Sequence, residues 1–89
     1  MARYTIIMDW EGGTYLAQAC GRSVHEAVRA WAEQLDVDAI PGLGEATKAR
    51  LVAEVAADSA VPIEGLAHVW CSSACIRGKL ALMHVVRTA

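Results

Sequence analysis

One stretch in the first half of the chain alternates apolar and polar residues with the period of an α-helix. In residues 23–35 the apolar positions recur at steps of three and four, so a helix would gather them on one side. Ser23 and Glu26 have the spacing of a capping box, in which each side chain pairs with a backbone N–H that the first helical turn leaves free. The pattern predicts a helix that begins here and packs its apolar side against a sheet. The apolar side comprises Val24, Ala27, Val28, Trp31 and Leu35.

The residues before this helix have the pattern of a β-hairpin. Residues 3–10 are rich in β-branched and aromatic side chains and partly alternate. One face of that strand would carry Tyr4, Ile6, Met8 and Trp10. Glu11-Gly12-Gly13 supplies the glycines that a tight reversal requires, and residues 14–20 return as a second strand.

The middle of the chain predicts a second helix between two loops. Pro41, Gly42 and Gly44 prevent the first helix from continuing. Residues 45–58 are rich in alanine, which favours a helix, and have a modest apolar side. That side comprises Leu51, Val52, Val55 and Ala56. Pro62 and Gly65 then mark a loop.

Residues 67–88 are predicted to form a second hairpin that turns at Arg77-Gly78. The sequence allows two registers between the strands of this hairpin. A two-residue loop would require positive φ at Arg77 and would place Cys71 opposite His84. A three-residue loop, residues 76–78 with Gly78 left-handed, avoids that conformation and is favoured; it places Trp70 opposite His84.

The favoured register determines which side chains of this hairpin face the core and which face outward. The predicted core face of the last strand carries Leu80, Leu82 and Val86 together with His84. The outer face then carries Val69, Cys71, Met83 and Val85. An apolar sheet face that no helix covers would attract another copy of the chain, so these four residues are the predicted dimer interface.

The order of elements predicts one α+β domain over residues 1–89. The architecture is a ββααββ two-layer sandwich, in which two helices lie on one face of a four-stranded antiparallel sheet. At this length stability depends on a well-filled core, and a hydrophobic content of 55% can supply it. The hydrophobic share is above the usual value and the charged share of 20% is somewhat below it, which indicates apolar surface for self-association.

Charge and hydropathy narrow the range of partners. The net charge is −2 and the eight basic residues are scattered, so neither nucleic acid nor an anionic membrane is an expected partner. The N-terminal apolar run is too short for a signal peptide, and no stretch reaches the roughly 18 apolar residues of a membrane span. Three cysteines form no disulfide framework, which is typical of a reducing compartment. A cytoplasmic location is therefore expected.

Residues 4–35 combine an aromatic first strand, an acidic-glycine turn at Glu11-Gly12-Gly13, a Thr14-Tyr15 strand and a helix opened by Ser23 and Glu26-Ala27. In this combination the segment resembles the N-terminal region of HicB-like antitoxins. The resemblance implies a small dimer that binds a partner protein. It assigns no toxin-binding residue.

Residues 40–51, IPGLGEATKARL, place a Gly-Leu-Gly turn before the second helix. This stretch resembles the helix-hairpin-helix pattern of non-specific DNA binders, in which turn N–H groups approach a phosphate at a helix N-terminus. The resemblance implies a nucleic-acid-binding site at Gly42, Leu43, Gly44 and Lys48. The favoured alternative is a glycine turn that separates two helices, since turn chemistry alone accounts for both glycines.

No set of residues predicts catalysis. Cys71 with His84 could form a thiol nucleophile and its base, but only in the disfavoured register and without a third orienting group. The histidines and cysteines show no metal-ligand spacing, so no metal or cofactor is expected. The leading hypothesis is a non-enzymatic protein-interaction or regulatory domain, of antitoxin type or similar, that acts as a homodimer. Nucleic-acid backbone binding is the alternative.

Overall fold

Five antiparallel strands and two helices make up the structure, a computed structural model that describes residues 1–57 and 60–89. The strands are β1 (Ala2–Trp10), β2 (Gly13–Gly21), β3 (Val61–Pro62), β4 (Val69–Ile76) and β5 (Lys79–Arg87). The helices are α1 (Val24–Glu33) and α2 (Glu45–Ala57). The predicted end of the second helix, Asp58, lies outside the described residues. In the part of the chain that is described, neither helix is long and apolar enough to cross a membrane.

The five strands form one sheet in the order β2-β1-β5-β4-β3. The two predicted hairpins therefore meet through β1 and β5, which places the first and last strands side by side at the centre. The α+β class and the antiparallel sheet are confirmed. The four-stranded ββααββ order is wrong, because Val61 and Pro62 add a two-residue edge strand opposite Cys71 and Trp70.

Helix α1 begins where the capping pattern predicted. Ser23 has extended backbone angles, and its Oγ accepts a hydrogen bond from Glu26 N at 3.2 Å. An N-terminal cap of this kind contributes about 1 kcal/mol. The helix buries Ala27, Val28 and Trp31, so the predicted inward orientation of the tryptophan is confirmed.

The core lies between the helices and one face of the sheet. On β1 the predicted inward residues are all buried: Tyr4, Ile6, Met8 and Trp10. Helix α2 buries Leu51 and Val55 of its predicted apolar side, whereas Val52 is half-buried and Ala56 is exposed. Leu35, Ile40 and Leu43, in the connection between the helices, close one end of the core.

The C-terminal hairpin has the register that the turn residues disfavoured. Ile76 pairs with Lys79, so the loop has two residues, and Cys71 lies opposite His84. Arg77 (φ 52°) and Gly78 (φ 78°) both have positive φ, as a type I′ turn requires. The predicted three-residue loop is wrong, and the faces of β5 are exchanged: Ala81, Met83 and Val85 are buried against the helices.

Gly21 allows α1 to approach the sheet closely. A Cβ atom at this position would lie 2.6 Å from Ala27 N and 2.9 Å from Ser23 O, and neither backbone atom can move without displacing the start of the helix. We expect Gly21→Ala to lower the free energy of unfolding by roughly 1–3 kcal/mol, as measured by urea denaturation. Gly44→Ala is the control, because nothing lies within 4 Å of a Cβ there. Equal losses in the two variants would contradict this steric explanation.

Candidate protein interface on the open face of the sheet

The helices cover one face of the sheet and leave the other uncovered. We call the uncovered surface the open face. Side chains alternate across a strand, so the cross-strand pairs identify its members. Its apolar members are Ile7, Leu16, Val61, Val69, Leu80, Leu82 and Val86. Leu16, Val61 and Leu80 are among the most exposed large apolar residues of the described chain, at 67%, 59% and 58%.

A continuous row of side chains crosses all five strands of this face. Leu16 pairs with Ile7, Ile7 with His84, His84 with Cys71, and Cys71 with Val61. Directly opposed residues have Cβ atoms about 4.5–5.5 Å apart, so neighbours along the row are in contact range. The row is apolar except for His84 at its centre.

Most polar side chains of the open face lie on β1 and β2, and four of them form two hydrogen-bonded pairs. Gln18 Nε2 donates to Thr5 Oγ1 at 3.0 Å, and Thr14 Oγ1 donates to Asp9 Oδ1 at 2.8 Å. Because these groups already have partners, an approaching surface would not leave them unsatisfied. The β4–β5 half of the face is the more apolar half.

The open face is large enough for a small specific interface. Four full strands at the usual spacing and rise cover roughly 500–600 Å². Specific protein interfaces at the lower end of their size range bury about 600 Å² on each partner. The apolar part of this area is concentrated on β4 and β5, and contiguous exposed apolar surface on a small domain is a candidate interaction surface.

The structure divides the four predicted interface residues between the two sides of the sheet. Val69 and Cys71 are half-buried on the open face. Met83 and Val85 are fully buried in the core, so their predicted outer placement is wrong. The reason is the two-residue loop, which shifts β5 by one residue against β4 and exchanges its faces. Leu80, Leu82 and Val86 therefore replace them on the open face, although alternation within β5 alone did group these three together.

Cys71 and His84 are cross-strand neighbours, as catalysis by this pair would require. The residue opposite His84 on β1 is Ile7, and the carboxylate diagonal to it, Asp9, accepts a hydrogen bond from Thr14. Neither the Cys71 nor the His84 side chain donates to or accepts from another residue within the described ranges. The structure therefore brings the two side chains together without a hydrogen bond between them in the described residues.

The remaining histidines and cysteines are dispersed. All three cysteines are free thiols, and Cys71 and Cys75 share the same face of β4. Over residues 1–57 and 60–89, no three His, Cys, Asp or Glu side chains come together as a metal site would require.

The Gly-Leu-Gly turn lies beside a carboxylate. Gly42 has a φ of 81°, and a Cβ there would collide with the side chain of Glu11, which forms an ion pair with Lys79. Leu43 is buried and Gly44 O accepts from Lys48 N at 2.9 Å, in the first turn of α2. The Glu11 carboxylate occupies space beside Gly42 that a phosphate would need, and its ion pair with Lys79 holds it there. The nucleic-acid hypothesis stays a prediction.

Helix α1 ends at Glu33 and α2 begins at Glu45, so a turn-rich connection of several residues separates the two helices. The Gly-Leu-Gly turn therefore starts α2 and does not directly follow α1. Searches against models of protein families, curated proteins and solved structures found no match to the chain.

Proposed function

We propose that this chain is a small non-enzymatic protein-interaction domain of regulatory type, and that it acts as a homodimer through the open face. The observation that carries the proposal is the apolar row from Leu16 to Val61 across all five strands. An antitoxin-like role is one form of such regulation, and it rests on the resemblance of residues 4–35 alone.

The charges on the open face suit pairing with an identical face. On β1, Arg3 and Asp9 lie on this face near opposite ends of the strand. The two-fold axis would lie between the two sheets, perpendicular to β1 and level with the position between Thr5 and Ile7. It would place Arg3 of each copy opposite Asp9 of the other. A two-fold interface must be self-complementary in this way. Two sheets stacked face to face would pack about 10 Å apart with the apolar row between them.

Sedimentation equilibrium at high micromolar concentration tests the dimer. We expect the wild-type chain to be dimeric and Leu82→Lys to raise the dimer Kd at least about tenfold, because the change buries an unpaired ammonium in the apolar half of the face. Ala53→Lys is the matched control, since Ala53 is exposed on α2, away from the open face.

Two outcomes would contradict the proposal. A wild-type chain that is strictly monomeric at high micromolar concentration removes its main support. A Kd that Leu82→Lys and Ala53→Lys change equally shows that another surface mediates association. Circular dichroism on both variants separates loss of association from loss of folding.

A further inference from the structure

We infer that the free edge of β2, with the groove beside it, binds an extended peptide segment of another protein as a sixth strand. This site adjoins the proposed dimer surface and shares Thr14, Leu16 and Gln18 with it, but it uses different groups: the dimer uses side chains on the open face, whereas the peptide would use backbone groups of β2 and a groove on the helix side. The peptide proposal does not depend on the dimer.

The turn between β1 and β2 determines which backbone groups of β2 are free. Glu11 and Gly12 form a two-residue loop, and Trp10 and Gly13 close it as a hydrogen-bonded pair. Along β2, residues whose backbone groups form hydrogen bonds with β1 then alternate with residues whose N–H and C=O groups point away from β1. These residues are Thr14, Leu16, Gln18 and Cys20.

The β2 edge lacks the devices that normally protect an exposed strand. Its nine residues, GTYLAQACG, include no charged residue and no proline. The opposite edge of the sheet is formed by β3, which has two residues, one of them Pro62, and beyond β3 by residues 72–76 of β4. Short edge strands and proline are common protections against the addition of another strand. Of the two edges that the structure describes, β2 is therefore the one that offers nine consecutive residues without such protection.

A groove of about 440 Å³ runs along this edge on the helix side of the sheet. Residues 14–18 form one wall, and Trp31, Leu35 and Ile40 contribute apolar surface to the other. An added strand would direct alternate side chains into the groove, as in peptide recognition by strand addition. The backbone edge provides affinity and the groove selects apolar side chains.

One carboxylate fixes the charge preference of the groove. Asp36 is the one charged residue in its lining, and Asp36 Oδ1 accepts a hydrogen bond from Asp38 N at 3.0 Å, which orients the carboxylate. Helix α1 starts near Gly21 and runs back along β2, so Asp36 lies toward the Thr14 end. A Lys or Arg at the matching end of the peptide would complement this charge.

A second copy of the chain fits this site less well than a peptide of that composition. If β2 of a second copy paired here, its helix-side residues would be Gly13, Tyr15, Ala17 and Ala19. Three of these four are small and would leave most of the groove unfilled. The strand also carries no basic residue for Asp36.

The test is selection of random twelve-residue peptides displayed on phage against the full chain, followed by titration of the selected peptides. We expect them to share apolar residues at alternate positions and a Lys or Arg at one end. Leu16→Pro removes an outward N–H without removing a bond to β1, and we expect it to weaken binding about tenfold or more. Leu16→Val is the matched control, because it shortens the same side chain but keeps the N–H, and its binding should stay within about threefold of wild type.

Two further variants test the groove and its charge. Ala17 is exposed and lines the groove, so Ala17→Trp would fill it while leaving the backbone intact; we expect a loss similar to that of Leu16→Pro. Asp36→Asn should weaken basic peptides about threefold and leave neutral ones unchanged. Ala17→Trp also keeps the test decisive if Leu16→Pro does not fold.

Several outcomes overturn the inference. It is wrong if no peptide is selected, or if the selected peptides show no alternation. It is also wrong if both Leu16→Pro and Ala17→Trp bind as wild type does. A wild-type dimer that Leu16→Pro dissociates and Leu16→Val does not would assign the edge to a second copy instead.

Discussion

Trp31→Ala is expected to remove a large part of the stability of the domain. Trp31 lies on the inner side of α1 with only 3% of its surface exposed, and it belongs to the main hydrophobic cluster. Truncation of a buried tryptophan costs roughly 3–5 kcal/mol. A domain of this length has a free energy of unfolding of roughly 5–13 kcal/mol, so the variant would be only marginally stable at 25 °C.

Urea denaturation followed by far-UV circular dichroism measures this loss. Trp70→Ala is the matched control, because Trp70 is half-buried near the β3 edge and contacts Tyr4 edge to face, with ring centroids 5.8 Å apart. We expect Trp70→Ala to cost roughly half as much, since less apolar area is lost from the interior. A loss below about 1 kcal/mol in Trp31→Ala would mean that α1 does not pack as described.

Helix α1 could be predicted from the sequence because its signals are local. The cap at Ser23 and the period of the apolar residues lie within one short segment, and both indicate the same element. Agreement of several local preferences is what makes a segment predictable without knowledge of the rest of the fold. The same reasoning located the first hairpin, with its glycine turn and its alternating strand.

Strand β3 could not be predicted in this way. Val61 and Pro62 are too few to show a period, and proline within an apolar run argues against a strand. These residues count as a strand because β4 lies beside them, with Cys71 and Trp70 as their partners. Such pairing depends on contacts between distant residues.

The sequence predicted that the candidate site is an uncovered sheet face, but it predicted only some of the residues on that face. High apolar content and two helices for one sheet indicate that one sheet face stays uncovered, whichever residues form it. The identity of those residues depends on the register of the C-terminal hairpin. Val69 and Cys71 were placed correctly because the face assigned to β4 was right, whereas the face assigned to β5 was not.

Burial outweighs turn preference in that hairpin. The two-residue loop holds Arg77 in a left-handed conformation, which costs about 1–2 kcal/mol. The alternative register would replace Ala81, Met83 and Val85 in the core with Leu80, Leu82 and Val86, so the buried apolar area would not fall. It would also bury the imidazole of His84, which costs about 1–3 kcal/mol without a partner. The cost of burying His84 therefore favours the observed register against the strain at Arg77, and the turn residues alone do not reveal it.

The register can be tested with one substitution made at two adjacent valines. Val85 is fully buried beneath the helices, and Val86 is half-buried on the open face opposite Thr5 and Val69. We expect Val85→Asp to unfold the chain, with a loss of about 4 kcal/mol or more, because a carboxylate in the core would have no partner. Val86→Asp should cost about 1 kcal/mol or less in the monomer, since its carboxylate can reach water.

Urea denaturation of both variants, at a concentration low enough for the wild-type chain to be monomeric, compares the two sites without a contribution from self-association. The register with the three-residue loop makes the opposite prediction, because there Val86 lies in the core and Val85 on the outer face. If Val85→Asp folds and Val86→Asp does not, the two faces of β5 are the reverse of those described. The apolar row through His84 would then be buried in the core, so the homodimer proposal would lose its surface together with the register.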